Sequence, residues 1–285
     1  MRRKIAPRMK PPSLRCGDTS IRFDHPVIMG VLNVTPDSFS DGGLFLQPDE
    51  AVARAKQMAE QGADIIDVGG ESSRPGSEPV PEEEELRRVE PVIRRLVKEI
   101  QIPISIDTYR ACVADECLKF GVHMVNDITG LRSKEMIGVV AAYKVPVTVM
   151  HMKGMPKTMQ QNPVYGDVVQ EVREFLADRI EAARVAGIHD IIVDPGIGFG
   201  KTVEHNLEIL KKLREFKELN CPILVGPSRK AFIGRITGLP ATERLEGTLA
   251  AISIAIVNGA DIVRVHDVRE CRRAAQIAYA IRQAS

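Results

Sequence analysis

The chain has 285 residues, of which 44% are hydrophobic and 27% charged, and its net charge at pH 7 is +1. This composition is that of a globular protein with a full-size core, and the length suits a single α/β barrel of about 250 residues. The balanced charge and the absence of Trp argue against a nucleic-acid or membrane surface.

The N-terminus and the cysteines indicate a cytoplasmic protein. Arg2, Arg3 and Lys4 precede prolines rather than an apolar stretch, so they do not begin a signal peptide. No run approaches the ~18 apolar residues of a membrane helix. The five cysteines contain no CxxC pair, which predicts buried, reduced thiols rather than disulfides or a structural metal site.

Short apolar runs alternate with helical patterns after a short N-terminal arm, residues 1–26. The predicted strands are 27–34, 63–69, 103–107, 123–128, 146–150, 190–194, 222–226 and 260–265. The predicted helices are 51–61, 82–100, 111–121, 134–143, 168–187, 203–218, 241–258 and 270–282. Glycines stand where helices should end, at Gly62, Gly121, Gly187 and Gly259.

This strict alternation predicts a parallel sheet, which is either closed as a barrel or open and doubly wound. The evenness of the eight units and the lack of a composition break favour the closed form. We therefore expect one (β/α)₈ TIM barrel over residues 27–285, with no second domain.

Polar residues follow every predicted strand. In a (β/α)₈ barrel the working site lies at the C-terminal ends of the strands. A single polar residue there is most often a turn former or helix cap, but caps explain the whole set poorly. The set is Asn33; Glu71, Ser73 and Arg74; Asp107; Asn126 and Asp127; His151; Asp194; Ser228 and Lys230; Arg264 and His266.

Four of these residues suit a planar heterocycle: Asp107, Asn126, Asp194 and Lys230. Carboxylates accept from ring and exocyclic N–H groups, an amide does both, and a lysine donates to a carbonyl. A structural Asp–Lys pair in the barrel mouth is the alternative, but it explains two residues rather than four.

The segment 194–202 is rich in glycine but is not a nucleotide motif. Pro195 stands where a phosphate loop needs Gly, and Lys201 stands where the dinucleotide pattern needs its third Gly. We expect its glycines to let the backbone approach a flat ligand beside Phe199. An ordinary glycine-rich turn is the alternative.

Arg264 and His266 alternate on the last strand, so they share one side of it. A forked donor and a second donor near a helix N-terminus suit a phosphate or pyrophosphate. After the first strand, the polar, glycine-closed segment 33–43 predicts a mobile loop over the same site.

Taken together, these motifs resemble the dihydropteroate synthase family over residues 25–280. The resemblance rests on segments in the family's order: 33–41 (NVTPDSFSD), 67–76 (DVGGESSRPG), 105–108, 126–128, 151–152 with 162–163, 194–199, 226–230 and 264–267. It implies the same barrel fold and a homodimeric transferase of folate biosynthesis, the target of sulfonamides. The reaction would join 6-hydroxymethyl-7,8-dihydropterin pyrophosphate to p-aminobenzoate.

The resemblance also implies a role for each site residue. Asp107, Asn126, Asp194, Lys230 and Phe199 would hold the pterin, and Arg264 and His266 the departing pyrophosphate, with Asn33 on its Mg²⁺. Asp107, Lys230, Arg264 and His266 would be the catalytic set in an SN1-like displacement. Phe39, Ser73, Arg74 and Pro75 would shape the p-aminobenzoate pocket.

Two alternatives share parts of this pattern. A folate-dependent methyltransferase would keep Asp107, Asn126 and Asp194 but should lack the two loops and the Arg264–His266 pair. A non-catalytic pterin-binding protein could dispense with Asn33, Arg264 and His266. The presence of all these features favours the synthase.

Overall fold

The computed structural model describes residues 13–35, 48–74 and 76–284. Phe39, Pro75 and most of the predicted loop 33–43 lie outside these ranges. Within them, no helix combines the length and apolar character needed to cross a membrane.

An antiparallel hairpin, β1 (Ser13–Cys16) and β2 (Thr19–Arg22), occupies the segment predicted as an arm. Leu14, Cys16 and Ile21 of the hairpin are buried. They form one cluster with side chains from the starts of the barrel strands, among them Val27 and Ile262. The hairpin therefore covers the N-terminal end of the barrel and leaves the opposite end for a site.

Eight parallel strands form the barrel. They are β3 (Val27–Asn33), β4 (Ile65–Gly69), β5 (Ile104–Asp107), β6 (Met124–Asp127), β7 (Val147–Met150), β8 (Ile191–Asp194), β9 (Leu224–Val225) and β10 (Ile262–Val265). Their order is β8-β7-β6-β5-β4-β3-β10-β9, and a parallel bridge between Val193 and Ile223 joins the two ends. The predicted closed barrel is confirmed.

The helices surround this sheet. They are α1 (Pro48–Glu60), α2 (Glu82–Glu99), α3 (Ala111–Lys119), α4 (Lys134–Tyr143), α5 (Val168–Val185), α6 (Val203–Lys211), α7 (Ala231–Thr237), α8 (Leu245–Val257) and α9 (Val268–Gln283). Side-chain caps begin three of them, from Ser133, Asp167 and Thr202. The main core lies between the strands and this helical layer.

Three local features differ from the sequence prediction. The helix α7 was not expected, because seven residues are too few for a helical period to stand out. The predicted helix 203–218 divides into α6 and a 3₁₀ segment, Leu213–Leu219. A second 3₁₀ turn, Ala241–Glu243, precedes α8.

The predicted glycine helix ends are confirmed, since Gly62, Gly121, Gly187 and Gly259 have φ values of 98°, 104°, 84° and 108°. All five cysteines are free thiols. Four are buried as expected, but Cys112 is exposed, because it lies on the solvent side of α3.

Candidate active site

One row of paired residues crosses four neighbouring strands at their C-terminal ends. Asn33 pairs with Gly69, Gly69 with Asp107, and Asp107 with Asn126. A Cβ placed on Gly69 would lie 3.7 Å from Asp107 Oδ2 and 3.8 Å from Asn33 Oδ1. The glycine therefore leaves room for these two predicted site residues to flank one space.

Arg264 connects the carboxylates of this rim. Its Nε donates to Asp67 Oδ2 and its Nη2 to Asp107 Oδ2, each at 2.6 Å. Asn126 Nδ2 also donates to Asp67 Oδ2, at 2.9 Å. The predicted Asp107, Asn126 and Arg264 thus belong to one network, and its centre is a fully buried carboxylate, Asp67.

Asp107 and Asp194 have unusual acidities. Burial raises the pKa of Asp107 to about 7; Arg264 opposes this effect and Asp67 adds to it. Burial likewise raises the pKa of Asp194 to about 6, although a 2.7 Å hydrogen bond from the Gly196 N–H acts to lower it. Both carboxyl groups therefore change charge close to neutral pH, as groups at functional sites often do.

Lys230 lies over the ring of Phe199, with Nζ 3.9 Å from the ring centroid. Burial and the charge of Arg264 lower the pKa of Lys230 to about 8, while Asp194 and Asp107 act in the opposite direction. The lysine therefore stands within the electrostatic reach of both acids and of Arg264.

His266 is held by a neighbouring strand end. Its Nδ1 lies 2.9 Å from Ser228 Oγ, and its backbone N–H donates to the same oxygen at 3.3 Å. Burial lowers the pKa of His266 to about 3, and the charges of Arg264 and Arg229 contribute in the same direction. The imidazole is therefore neutral at physiological pH.

Glu71 anchors the loop after β4 and does not belong to the Asp67–Arg264 network. Its carboxylate accepts from the Tyr109 hydroxyl at 2.9 Å and from Arg110 Nη1 at 2.7 Å. In the same loop Ser73 is half-buried and Arg74 is exposed. The charge of Arg74 contributes to lowering the pKa of Lys230, so this guanidinium lies close enough to act on the lysine.

Sequence reasoning gave no role to two buried charged residues near the site. Asp67 could have been identified from the sequence, because a carboxylate inside the apolar run 65–68 is buried and must have a partner. Lys201 gave no signal, since a lysine after a turn ordinarily points to solvent. It is 3% exposed, and its Nζ lies 2.9 Å from His151 Nδ1 and 3.0 Å from the Phe199 carbonyl oxygen.

The expectation that the glycines of 194–200 admit a flat ligand stays a prediction, and for Gly196 and Gly200 the structure supports the alternative, a glycine-rich turn required by packing. A Cβ on Gly196 would lie 1.9 Å from the His151 carbonyl oxygen, and one on Gly200 would lie 2.5 Å from that of Lys153. These glycines are required because the turn packs directly on the backbone that follows β7.

The residues at the rim suit a Mg²⁺ ion held chiefly by a ligand. Within the described ranges, no three His, Cys, Asp or Glu side chains are grouped to form a cation cage. Mg²⁺ commonly keeps several waters and binds substrate phosphates with only one or two protein oxygens. The amide oxygen of Asn33, at the end of β3, fits that limited role.

Comparison with known proteins identifies similar chains throughout the barrel. The family described as pterin binding enzyme matches residues 29–266. A dihydropteroate synthase from Synechocystis sp. is 48% identical over 276 residues, covering 95% of this chain and 96% of that protein.

Two solved structures share the fold. The Yersinia pestis dihydropteroate synthase in a sulfonamide drug complex superposes with a TM-score of 0.92 at 41% identity, covering 95% of this chain and 100% of that one. The Xanthomonas albilineans dihydropteroate synthase in complex with 7,8-dihydropteroate superposes with a TM-score of 0.87 at 42% identity, covering 96% of this chain and 100% of that one. The chain therefore belongs to the pterin binding enzyme family, in its dihydropteroate synthase branch.

Proposed function

We propose that this protein is a transferase that joins 6-hydroxymethyl-7,8-dihydropterin pyrophosphate to p-aminobenzoate, giving 7,8-dihydropteroate and pyrophosphate. The observation that carries the proposal is the buried network of Asp67, Asp107, Asn126 and Arg264 at the C-terminal rim. Relatives of this chain at 44–50% identity are dihydropteroate synthases, and one related structure holds 7,8-dihydropteroate, the product of this reaction.

The pterin would lie among the acids of the rim. Asp194 and Asp107 would accept hydrogen bonds from ring and exocyclic N–H groups, and Asn126 would both donate and accept. Lys230 would donate to the pterin carbonyl while it stays over Phe199. Since these groups are buried, each hydrogen bond to the heterocycle forms with little competition from water.

The pyrophosphate would lie toward β10. Two of the five N–H groups of Arg264 contact Asp67 and Asp107, so this guanidinium keeps donors for an anion. Ser228 Oγ, 2.9 Å from His266 Nδ1, would donate to it, so that the neutral imidazole would carry its proton on Nε2 and donate from there. Mg²⁺ bound to the pyrophosphate and to Asn33 would neutralise further charge on the leaving oxygens.

The residues suit an SN1-like displacement. The C–O bond to pyrophosphate breaks first, and Arg264 and His266 stabilise the negative charge that develops on the leaving oxygen. The resulting cationic pterin methylene lies beside Asp107. The p-aminobenzoate nitrogen then forms the C–N bond and releases its proton.

The second substrate would contact the two loops after β3 and β4. Ser73 and Arg74 would contribute to this pocket from the second loop, and Phe39 and Pro75 belong to the same prediction. The homodimer and the cytoplasmic location remain predictions as well.

The function is tested with the purified chain, pterin pyrophosphate and p-aminobenzoate. Dihydropteroate and pyrophosphate should form in equal amounts with Mg²⁺ and much more slowly with a chelator in excess. Omission of p-aminobenzoate is the control for hydrolysis of the pyrophosphate. Binding of the pterin without product would identify a non-catalytic binding protein, and methyl transfer from a methylated folate would identify a methyltransferase; either outcome overturns the proposal.

A further inference from the structure

Lys201 fastens the turn 194–200 to the end of β7. Its Nζ lies 2.9 Å from His151 Nδ1 and donates to the Phe199 and His151 carbonyl oxygens at 3.0 and 3.3 Å. The His151 N–H in turn donates to the Asp194 carbonyl oxygen at 2.9 Å. One buried ammonium therefore joins the turn that carries Asp194 and Phe199 to the residue that follows β7, His151.

The charge of this pair resides on the lysine. Burial and the charges of Lys201 and Arg132 lower the pKa of His151 to about 2, so its ring is neutral and accepts from Lys201 through Nδ1. Burial lowers the pKa of Lys201 to about 7, while Asp194 acts to raise it. A lysine held so far inside the fold requires a nearby negative charge or strong acceptors.

Asp194 is the carboxylate whose charge acts on this ammonium. The two are linked through Gly196, whose N–H donates to Asp194 Oδ1 and whose Cβ position lies 3.2 Å from Lys201 Nζ. The charged groups acting on Asp194 are Lys230, Lys201 and Arg264, and its nearest donor is the Gly196 N–H. Lys230 and Arg264 belong to the proposed binding and catalytic set. Lys201 is separate from it, because its own hydrogen bonds go to His151 and to the turn backbone.

We propose that Lys201 is a positioning residue for the pterin site: it fixes the turn that presents Asp194 and Phe199, and it supplies Asp194 with a buried positive charge. This inference rests on the proposed function, because Asp194 is taken as an acceptor for the pterin. A purely structural lysine would hold the turn in place without affecting the ionisation of Asp194.

The two roles are separated by the pH dependence of binding. Pteroic acid is titrated calorimetrically into the wild type, Lys201→Met and the exposed control Lys211→Met over a range from about pH 5 to about pH 8. Binding should weaken as Asp194 takes up a proton at low pH. Without Lys201 this weakening should begin about one pH unit higher, and affinity near pH 6 should fall about fivefold. Lys211→Met should follow the wild type.

Kinetics supply a second criterion. The KM for pterin pyrophosphate should rise in Lys201→Met, while the KM for p-aminobenzoate should stay within about twofold of the wild-type value, because the turn belongs to the pterin side. His151→Asn retains the Lys201 ammonium, so its affinity for pteroic acid should begin to fall at the same low pH as that of the wild type. If Lys201→Met does not fold, Lys201→Gln, which also lacks the charge, should show the same displacement.

The outcomes distinguish this inference from the proposed function. A wild type that does not bind pteroic acid overturns the proposed function. The role of Lys201 alone is overturned if the wild type binds pteroic acid and the charge-free Lys201 variant loses affinity at the same low pH as the wild type. A uniform loss of affinity at every pH would likewise assign Lys201 a purely structural role.

Discussion

Arg264 Nη2 and Asp107 Oδ2 are 2.6 Å apart, although their strands are not neighbours. The strand order β5-β4-β3-β10 places two strands between them, so the ion pair spans the barrel mouth. Arg264 also contacts Asp67 on β4, which makes it the cation shared by two buried acids. The stability of this rim and the chemistry proposed for it therefore depend on the same side chain.

Replacement of Arg264 by Met should destabilise the protein. Removing one partner of a buried ion pair leaves uncompensated charge and costs about 3–5 kcal/mol. The loss in the free energy of unfolding, measured by urea denaturation at neutral pH, should fall in this range. The exposed Arg273→Met variant is the control and should unfold like the wild type. A loss below about 1 kcal/mol would show that the two carboxylates do not need this cation.

Replacement of Asp194 by Asn should weaken pterin binding. The variant loses a charged acceptor in a buried site, which corresponds to about 2–4 kcal/mol. Calorimetry with a pterin ligand at about pH 7.5 measures the difference. The exposed Asp178→Asn variant provides a matched control on α5. Near-normal affinity in Asp194→Asn would refute the role assigned to this residue.

The acidity of Asp107 predicts a pH-dependent stability. Its pKa is about 7 in the folded chain against 3.8 for an ordinary Asp, so the folded state binds the proton more tightly. Its contribution to stability is fully present below about pH 4 and is lost as the pH rises through about 7. The unfolding free energy of the wild type relative to Asp107→Asn should therefore increase, by about 1 kcal/mol or more, between about pH 7.5 and pH 5.

This comparison is made by urea denaturation without substrates. The difference between wild type and variant removes the contribution of the other titrating groups. Asp178→Asn should show no such trend. A difference that is constant with pH would mean that Asp107 remains an ordinary carboxylate in the fold.

A methyl group on Gly196 should be poorly tolerated, whereas one on Gly138 should be tolerated well. Gly196 has φ of 72°, and its Cβ would meet the His151 carbonyl oxygen at 1.9 Å. Gly138 lies within α4 and has open space around the Cβ position. Gly196→Ala should lose about 3 kcal/mol or fail to fold, while Gly138→Ala should gain about 0.5–1 kcal/mol.

Thermal unfolding of both variants gives the measurement. Equal stability of the two would contradict the close packing of the turn on the backbone after β7. A folded Gly196→Ala chain should also bind the pterin less well, because Asp194 and Phe199 flank this turn.

The amino-acid sequence by itself determined the barrel architecture and predicted most members of the candidate site, but not Asp67. Apolar runs of strand length alternating with longer amphipathic patterns restrict the chain to a parallel sheet, and an even series of units favours closure. Polar residues at every predicted strand end then indicate which rim would carry the chemistry, because parallel strands all end at the same side. Asp107, Asn126, Asp194, Lys230 and Arg264 were predicted on this ground alone.

Only the tertiary structure decided which of these side chains contact one another. The pairing of Arg264 with Asp67 and Asp107 depends on barrel closure, which brings residues from distant strands across one opening. The inward turn of Lys201 depends on the packing of a glycine-rich turn against β7. Neither relationship has a local signature, since a periodic pattern reports which side of an element is buried and contains no information on the partner that buries it.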